Sequence, residues 1–372
     1  MIIILTQCFP SRVGGIETLM YNLALHLSRS KDVIVLADQQ NFKEDNIFDQ
    51  SEINFSTKRF RGIKFLRNRK KFNELKKIHV SSKIDAVISD SWKSLEVPID
   101  FLKKNKIPVI SLAHGNEIII KNDKHHKRVK KILEHVNAIV VNSSYTKNLL
   151  NKLSNNFKNV KIIYPGINIK KNYIEENINL NQGSPTLLTL ARLEKRKGHA
   201  LILKSIMNLK KYFPDIQYII AGEGEELDSI KNKIKEYNLQ DHVNLVGTVN
   251  ENQKNYIFSN TDLMIMPTLD ESSAKSIEGF GIAYIEAANF KIPSIASNIG
   301  GTPEAVIHNK TGLIIKDIDE LDEAIKSLID NKEDRLKLGQ NAKIRAENEL
   351  NWDIQIKKYN DLIKEDRKST RL

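Results

Sequence analysis

Cysteine is almost absent from this 372-residue chain. Cys8 stands alone, which excludes an internal disulfide framework and any zinc site built on several cysteines. Lying next to the first expected strand, it reads as a small buried apolar residue. No stretch of 18 apolar residues occurs, so no segment has the length of a membrane-spanning helix. The apolar opening at 2–5 has neither a basic leader nor a cleavage site, and it reads as a buried strand; a cytoplasmic location is the expectation. Short-period repeats and low-complexity blocks are also missing. There is no Gly-x-Gly-x-x-Gly fingerprint, and Asp38 is the sole acidic candidate at the end of the second strand, which weighs against a hydride-transfer enzyme. Asp-x-Asp occurs once, at Asp317-Ile318-Asp319, and reads as capping a surface helix rather than as a metal site.

What is abundant is positive charge, and it is concentrated. The chain carries a net +12, while 58–77 alone carries +9 and 121–131 carries +5, so the remainder sums to −2. The first patch contains Lys58, Arg59, Arg61, Lys64, Arg67, Arg69, Lys70 and Lys71, interleaved with Phe60, Phe65 and Phe72. Basic residues with apolar anchors suit a segment lying on anionic lipid, while nucleic acid is the rival partner for the same composition.

The length supports two domains, each with its own core. Short apolar runs at 2–6, 33–37, 86–89, 109–112, 138–142 and 160–163 predict buried strands, with helical stretches such as 16–28 between them. A polar, Asn-rich stretch at 169–184 follows Tyr164-Pro165-Gly166 and reads as a linker. A second series of strands is expected at 186–191, 217–221, 243–246, 263–266, 294–296 and 313–315. Strands alternating with helices imply right-handed βαβ units and parallel sheets, whose ligands bind at the carboxyl ends of the strands.

The candidate motifs fall just after these strands. Gly14-Gly15 opens the first helix, where backbone and helix dipole can approach a phosphate. His114-Gly115 ends a strand, placing an imidazole where it can meet a substrate hydroxyl. Arg192 and Lys197, in Arg-Leu-Glu-Lys-Arg-Lys-Gly, can converge on a diphosphate, the arginine as a planar fork and the lysine as a point charge. Gly222-Glu223-Gly224 and Gly247-Thr248-Val249 offer backbone contacts to a nucleotide. The densest signal is Glu278-Gly279-Phe280-Gly281-Ile282-Ala283-Tyr284-Ile285-Glu286. Here two carboxylates bracket a glycine turn that opens a helix, a geometry for gripping hydroxyls on either side of a bound anion.

Together these residues resemble the large retaining family 4 of GT-B glycosyltransferases. The resemblance runs over nearly the whole chain: Phe9-Pro10-Ser11-Arg12-Val13-Gly14-Gly15-Ile16-Glu17, the His-Gly turn, Arg-Leu…Lys-Gly, the Glu-x7-Glu block, Gly300-Gly301-Thr302-Pro303-Glu304 and a closing helix from Trp352. The wording is nearest to the phosphatidylinositol mannoside mannosyltransferases. The resemblance implies an α/β chain with two Rossmann-like doubly wound domains facing across a cleft. It assigns 1–168, completed by a C-terminal helix at 350–366, to the acceptor side, and 185–349 to the nucleotide sugar.

It further implies that Arg192 and Lys197 bind the donor diphosphate, Glu286 the ribose hydroxyls and Glu278 the donor sugar. Gly279, Phe280, Gly281 and Ile282 would contribute backbone at the donor, together with Gly222 and Val249. His114 would touch the sugar's 6-hydroxyl, and Gly14 and Gly15 would approach the phosphate. No metal and no cofactor beyond the nucleotide diphosphate sugar are expected. The expected reaction is retaining transfer of a hexose, first mannose from GDP-mannose, to a lipid-linked or saccharide acceptor at the inner face of the plasma membrane. UDP-glucose, UDP-galactose and UDP-N-acetylglucosamine remain open as donors. Rival readings are a non-catalytic binder of anionic membrane or nucleic acid on a degenerate fold, and a sugar epimerase. An enzyme would lose turnover yet stay folded on Glu278→Ala or Lys197→Ala. The stretch 270–277 departs from the family pattern as a polar insertion before Glu278.

Overall fold

A computed structural model describes residues 1–51, 53–120, 122–169, 173–271 and 276–369. Residue 121 of the second basic patch, 170–172 of the expected linker and 272–275 of the polar insertion lie outside the described residues. The chain divides into one unit of Met1–Gly166 with Trp352–Leu372 and another of Ile167–Asn351.

The first unit holds seven strands: β1 (Ile2–Thr6), β2 (Val33–Asp38), β3 (Ser56–Phe60), β4 (Ala86–Ser89), β5 (Val109–Ala113), β6 (Ala138–Val141) and β7 (Val160–Ile162). They form one parallel sheet in the order β3-β2-β1-β4-β5-β6-β7. β1 is buried at every position and pairs on both sides, Ile2 with Val33 and with Ala86, as a continuous apolar run in a two-sided sheet should. The second unit holds β8 (Thr186–Leu190), β9 (Gln217–Ala221), β10 (Val243–Gly247), β11 (Leu263–Met266), β12 (Ser294–Ser297) and β13 (Gly312–Ile315). Their order is β10-β9-β8-β11-β12-β13, again parallel throughout. In both sheets the order reverses beside the first strand, between β1 and β4 and between β8 and β11. Loops that part at such a reversal leave a crevice at the carboxyl ends.

β3 is absent from the sequence reading for a physical reason. Ser-Thr-Lys-Arg-Phe has no apolar alternation, because this is an edge strand with a half-exposed face, and charged side chains protect such edges from further pairing. The stretch read as a linker is stitched to the second unit from 174 onward. Asn255 Nδ2 donates to Ile174 O at 2.9 Å, Gln253 Nε2 to Glu176 Oε1 at 2.9 Å, and Asn181 N to Asn244 Oδ1 at 2.7 Å.

The last helix, Trp352–Ser369, packs in the first unit against the helix Gly15–Ser28. Trp352 stacks on His26 with ring centroids 5.4 Å apart, and Arg29 pairs with Asp353 at 2.7 Å. Gly166 lies flat against the same indole, where an added Cβ would approach the ring to 2.9 Å. Replacing Trp352 by alanine is therefore expected to destabilise the first unit by roughly 3–5 kcal/mol, the range for truncating a buried aromatic. Both tryptophans, Trp92 and Trp352, belong to the first unit, so fluorescence of the remaining Trp92 reports that unit alone. In denaturant its transition should move to lower concentration while the later part of the circular-dichroism transition stays in place.

Candidate donor site at the carboxyl edge of the second sheet

Residues 191–198 leave β8 and form a short 3-10 turn, Lys195–Lys197, closed by Gly198 at φ 74°. A side chain at 198 would bring its Cβ to 2.4 Å from Pro267 O, so only glycine lets this turn lie against the segment leaving β11. Leu269 N donates to Arg196 O at 2.8 Å and fixes the two loops together. The result is that Arg196 and Lys197 point inward, both under a tenth exposed, and converge on one atom. Glu278 Oε2 accepts from Arg196 Nη1 at 2.8 Å and from Lys197 Nζ at 2.5 Å.

Glu278 is held from behind by the glycine turn after β12. Gly301 N donates to Glu278 O at 2.9 Å, and a Cβ on Gly300 would approach that carbonyl to 2.2 Å. Phe280 and Tyr284 are buried beside it, with Tyr284 Oη donating to Met266 O at 2.6 Å. Burial by itself raises the Glu278 carboxyl pKa. Lys197 and Arg196 override that and hold it at about 2, below the ordinary 4.5. Burial pulls the Lys197 ammonium down and Arg196 adds to that pull, while Glu278 opposes both. Two buried cations thus share one carboxylate oxygen.

Arg196 extends the chain of charges outward. Its Nε donates to Glu194 Oε2 at 2.9 Å, and Glu194 Oε1 pairs with the exposed Arg192 at 2.9 Å. Arg192 and Lys197, expected to converge, are therefore held by different carboxylates, and Arg196 is the cation that joins Lys197. Glu286 has its own partner. Lys254, from the helix Glu251–Ser259, donates to Glu286 Oε1 at 2.7 Å and to Glu251 Oε1 at 2.8 Å. Burial works against the Lys254 ammonium, but the two carboxylates raise its pKa above the usual lysine range. Lys254 sits one turn into a helix that follows Gly247-Thr248-Val249, and its local sequence carries no mark of this role. Gly222, at φ 140° after β9, would bring a Cβ to 2.0 Å from Ala191 O, so it allows the second and first loops to close up. Gly279 and Ile282 are half-buried around the buried Gly281, whose φ of 98° starts the helix Ile282–Asn289. Val249 is half-buried beside Asn250, the cap of its helix. Asp317 accepts from Asp319 N at 3.2 Å and caps a 3-10 turn, as its sequence position suggested. A cavity of about 290 Å³ in this unit opens instead at the amino ends of β8 and β9, beside Thr186 and Gln217; its lining includes none of the expected site residues.

In the first unit the carboxyl edge carries a separate polar network. His114 Nε2 lies 2.9 Å from Asp90 O, a pure acceptor, so the proton sits on Nε2 and Nδ1 is the acceptor nitrogen. His114 N donates to Glu117 Oε1 at 2.7 Å. Gly14 precedes the first helix, with Gly15 its first residue, and a Cβ at 14 would meet Glu17 Oε2 at 2.3 Å. Cys8 is half-buried rather than fully enclosed. Burial, with Asp90 and Glu17 adding to it, pushes its thiol up to about 12.

The basic patch needs correction. Arg59 is enclosed, pairing with Asp45 at 3.0 Å and Asp49 at 2.7 Å and donating to Pro10 O at 2.5 Å, so it anchors the turn before Gly14. Lys71 is buried on Asp38 at 2.5 Å and donates to Thr6 O at 2.8 Å. Arg67 shares Asp38 at 2.9 Å, and Lys58 pairs with Glu74 at 2.6 Å. These contacts form because β3 and the helix Lys64–Ser81 bring their cations against carboxylates of β2, of the helix Phe42–Asp49 and of Glu74. Arg61, Lys64, Arg69 and Lys70 remain exposed.

The match to known proteins covers both units. The family model for glycosyl transferases group 1 matches residues 170–345, and that for glycosyltransferase family 4 matches 13–171. A GDP-mannose-dependent monoacylated alpha-(1-6)-phosphatidylinositol monomannoside mannosyltransferase of Corynebacterium glutamicum is 22% identical over 97% of each chain. A GDP-mannose-dependent alpha-(1-6)-phosphatidylinositol monomannoside mannosyltransferase of Mycobacterium tuberculosis is 22% identical over 98% of each. Among solved structures, sucrose-phosphate synthase from Thermosynechococcus elongatus superposes with a TM-score of 0.81 at 20% identity, covering 98% of both chains. Anabaena HepE in complex with UDP-glucose does so at 0.74 and 17%, covering 99% of both. The fold is GT-B.

The buried cluster makes a stability test. Removing Glu278 leaves the enclosed Lys197 without a carboxylate partner and Arg196 with Glu194 alone, so Glu278→Ala is expected to cost roughly 3–5 kcal/mol. Lys197→Met should cost less, because Arg196 still neutralises Glu278. The Glu278 pKa is lower in the folded chain than in the unfolded one, so folding favours its ionised form. That contribution is complete above about pH 4.5 and is lost as pH falls toward about 2. Denaturant titrations across this window should show a decline in wild type that is flattened in Glu278→Gln.

Proposed function

This chain belongs to the group 1, family 4 glycosyltransferases, and we propose that it moves a hexosyl group from a nucleotide diphosphate sugar to a lipid-linked or saccharide acceptor. Mannose from GDP-mannose is the first donor, by likeness to the two GDP-mannose-dependent mannosyltransferase relatives. The observation that carries the reading is the pairing of Arg196 and Lys197 on one oxygen of Glu278, where a mobile dianion offers more acceptor atoms than the carboxylate does. A diphosphate taking those donors would leave Glu278 free to accept hydrogen bonds from sugar hydroxyls. Arg192, exposed at the outer end of the same charge chain, would meet the outer phosphate. Glu286, oriented by its pairing with Lys254, suits the ribose hydroxyls.

As the bond from the anomeric carbon to the leaving oxygen lengthens, negative charge grows on the diphosphate. Arg196 and Lys197 stabilise it as preorganised cations in a water-poor setting, with Arg192 adding its charge from the exposed end. The acceptor hydroxyl attacks from the side the diphosphate leaves and passes its proton to the departing phosphate oxygen, which retains configuration. No metal ion or further cofactor has a part in this scheme. On the acceptor side, Nδ1 of His114 suits a sugar hydroxyl, and Gly14 and Gly15 allow backbone to approach a phosphate. We place the acceptor at the surface of an anionic membrane, as a peripheral contact; among the described residues no helix is long and apolar enough to cross one.

A thermal-shift panel tests the donor. Ligand that binds the native state alone stabilises it by about 2.7 kcal/mol at a hundredfold excess over Kd. GDP-mannose is expected to raise the melting temperature more than UDP-glucose, UDP-galactose or UDP-N-acetylglucosamine, and Lys197→Met to abolish the shift. A larger shift with a UDP sugar would reassign the donor. No shift with any of them would overturn the reading.

A further inference from the structure

The second unit carries a cavity for which the donor site has no use. It lies at the amino ends of β8 and β9, whereas the donor loops leave the carboxyl ends. A strand's length separates the two places: Thr186 and Leu190 are roughly 13 Å apart at 3.3 Å per residue. The cavity holds about 290 Å³, near the lower end of the range for small-molecule sites. One wall is 180–184, the stretch whose composition reads as a linker. Another is the end of the helix Glu251–Ser259 with the residues 260–262 that lead into β11.

These walls are fixed in place. Gly183 lies against the start of β9, where an added Cβ would come within 2.1 Å of Asp215 O. Asn181 Nδ2 donates to Gln240 O at 3.3 Å, beside the backbone bond from Asn181 to Asn244. On the other side, Asp262 N donates to Thr186 O at 2.8 Å, and Asp262 Oδ2 accepts from Thr186 N at 2.9 Å. The buried Gln217 and Ile219 close the base. A hollow framed this way keeps its shape without a ligand.

The lining selects for one chemistry. Among the described residues no lysine or arginine reaches it, and Asp262 is its one acidic residue, already engaged by Thr186 N and by Arg335 at 3.6 Å. A bound phosphate would find no counter-charge to offset its desolvation. What the cavity offers instead is hydroxyls and amides, which both donate and accept. Ser184 Oγ, Gln182 Oε1, Asn260 Oδ1 and Tyr256 Oη have no hydrogen-bond partner among the described residues. Tyr256 also supplies the one aromatic ring of the lining, and it is half-buried. Such a ring offers an apolar face to the C–H side of a pyranose, whose hydroxyls then need donors and acceptors around them. From this we infer that the cavity binds a neutral mono- or disaccharide, at a site separate from the donor site. A sugar held there keeps a glycan on the protein without entering the reaction. The inference needs no donor chemistry and stands apart from the transferase reading.

Isothermal titration calorimetry of the full chain with maltose, cellobiose and mannobiose tests it, with glucose 6-phosphate as an anionic competitor. Wild type is expected to bind at least one disaccharide, and glucose 6-phosphate is expected not to displace it. Tyr256→Ala removes the ring, and Gln182→Trp fills the cavity from an exposed position. Each should weaken disaccharide binding on the order of tenfold while keeping the wild-type thermal shift with nucleotide sugar. Lys197→Met should bind the disaccharide as wild type does. If Tyr256→Ala fails to fold, Gln182→Trp decides the matter. Unchanged affinity in the folded variants would overturn this cavity as the site, and so would a loss in Lys197→Met, which would put the sugar at the donor site. No binding of any of the disaccharides, or displacement by glucose 6-phosphate, would overturn the neutral-saccharide chemistry. Disaccharide binding with no nucleotide-sugar shift would leave this inference standing and overturn the transferase reading alone.

Discussion

The second unit is organised around one shared acceptor atom. Glu278 Oε2 receives both Arg196 and Lys197 in a site nearly closed to water. Burying two cations is costly unless a counter-charge meets them at hydrogen-bonding distance. The surroundings serve that requirement. Gly198 lets the cationic turn press on the segment after β11, and Gly300 lets the turn after β12 close behind the Glu278 carbonyl. Leu269 locks the first two loops. Such a cluster is stable as it stands, and its donors are already aimed and desolvated, the arrangement the proposed donor site requires.

Topology explains why these groups meet. Arg196 and Glu278 are 82 residues apart in sequence, but β8 and β11 are neighbours at the point where the strand order reverses. Loops leaving adjacent parallel strands in opposite directions create the crevice without special design. The first sheet repeats the arrangement. β1 and β4 part there, and Asp90 gathers Thr6, Gln7 and Ser94 while its backbone carbonyl accepts from His114.

Much of this was legible in the sequence. Twelve of the thirteen strands announce themselves as apolar runs, since strands buried on both faces cannot carry polar residues. The site glycines and both glutamates were visible because backbone constraint and paired carboxylates leave a local mark. What stayed hidden depends on distant partners. Ser56–Phe60 has the composition of a loop and becomes a strand only because β2 offers an unpaired edge. Arg196 looks like surplus charge until Glu278 is brought to it, and Lys254 looks like any helix-surface lysine until Glu286 is. The reverse error befell Arg59 and Lys71, which read as surface cations but are enclosed by Asp45, Asp49 and Asp38. Charge is local in sequence, whereas neutralisation is tertiary.

The central claim is that Glu278 holds, in the ligand-free chain, two donors that a diphosphate takes over. A crystal structure of the chain with bound nucleoside diphosphate tests this most directly. The account predicts phosphate oxygens within hydrogen-bonding distance of Lys197 Nζ and Arg196 Nη1, with the Glu278 carboxylate turned away from at least one of them. A nucleotide bound elsewhere, with both cations still on Glu278 Oε2, would contradict it.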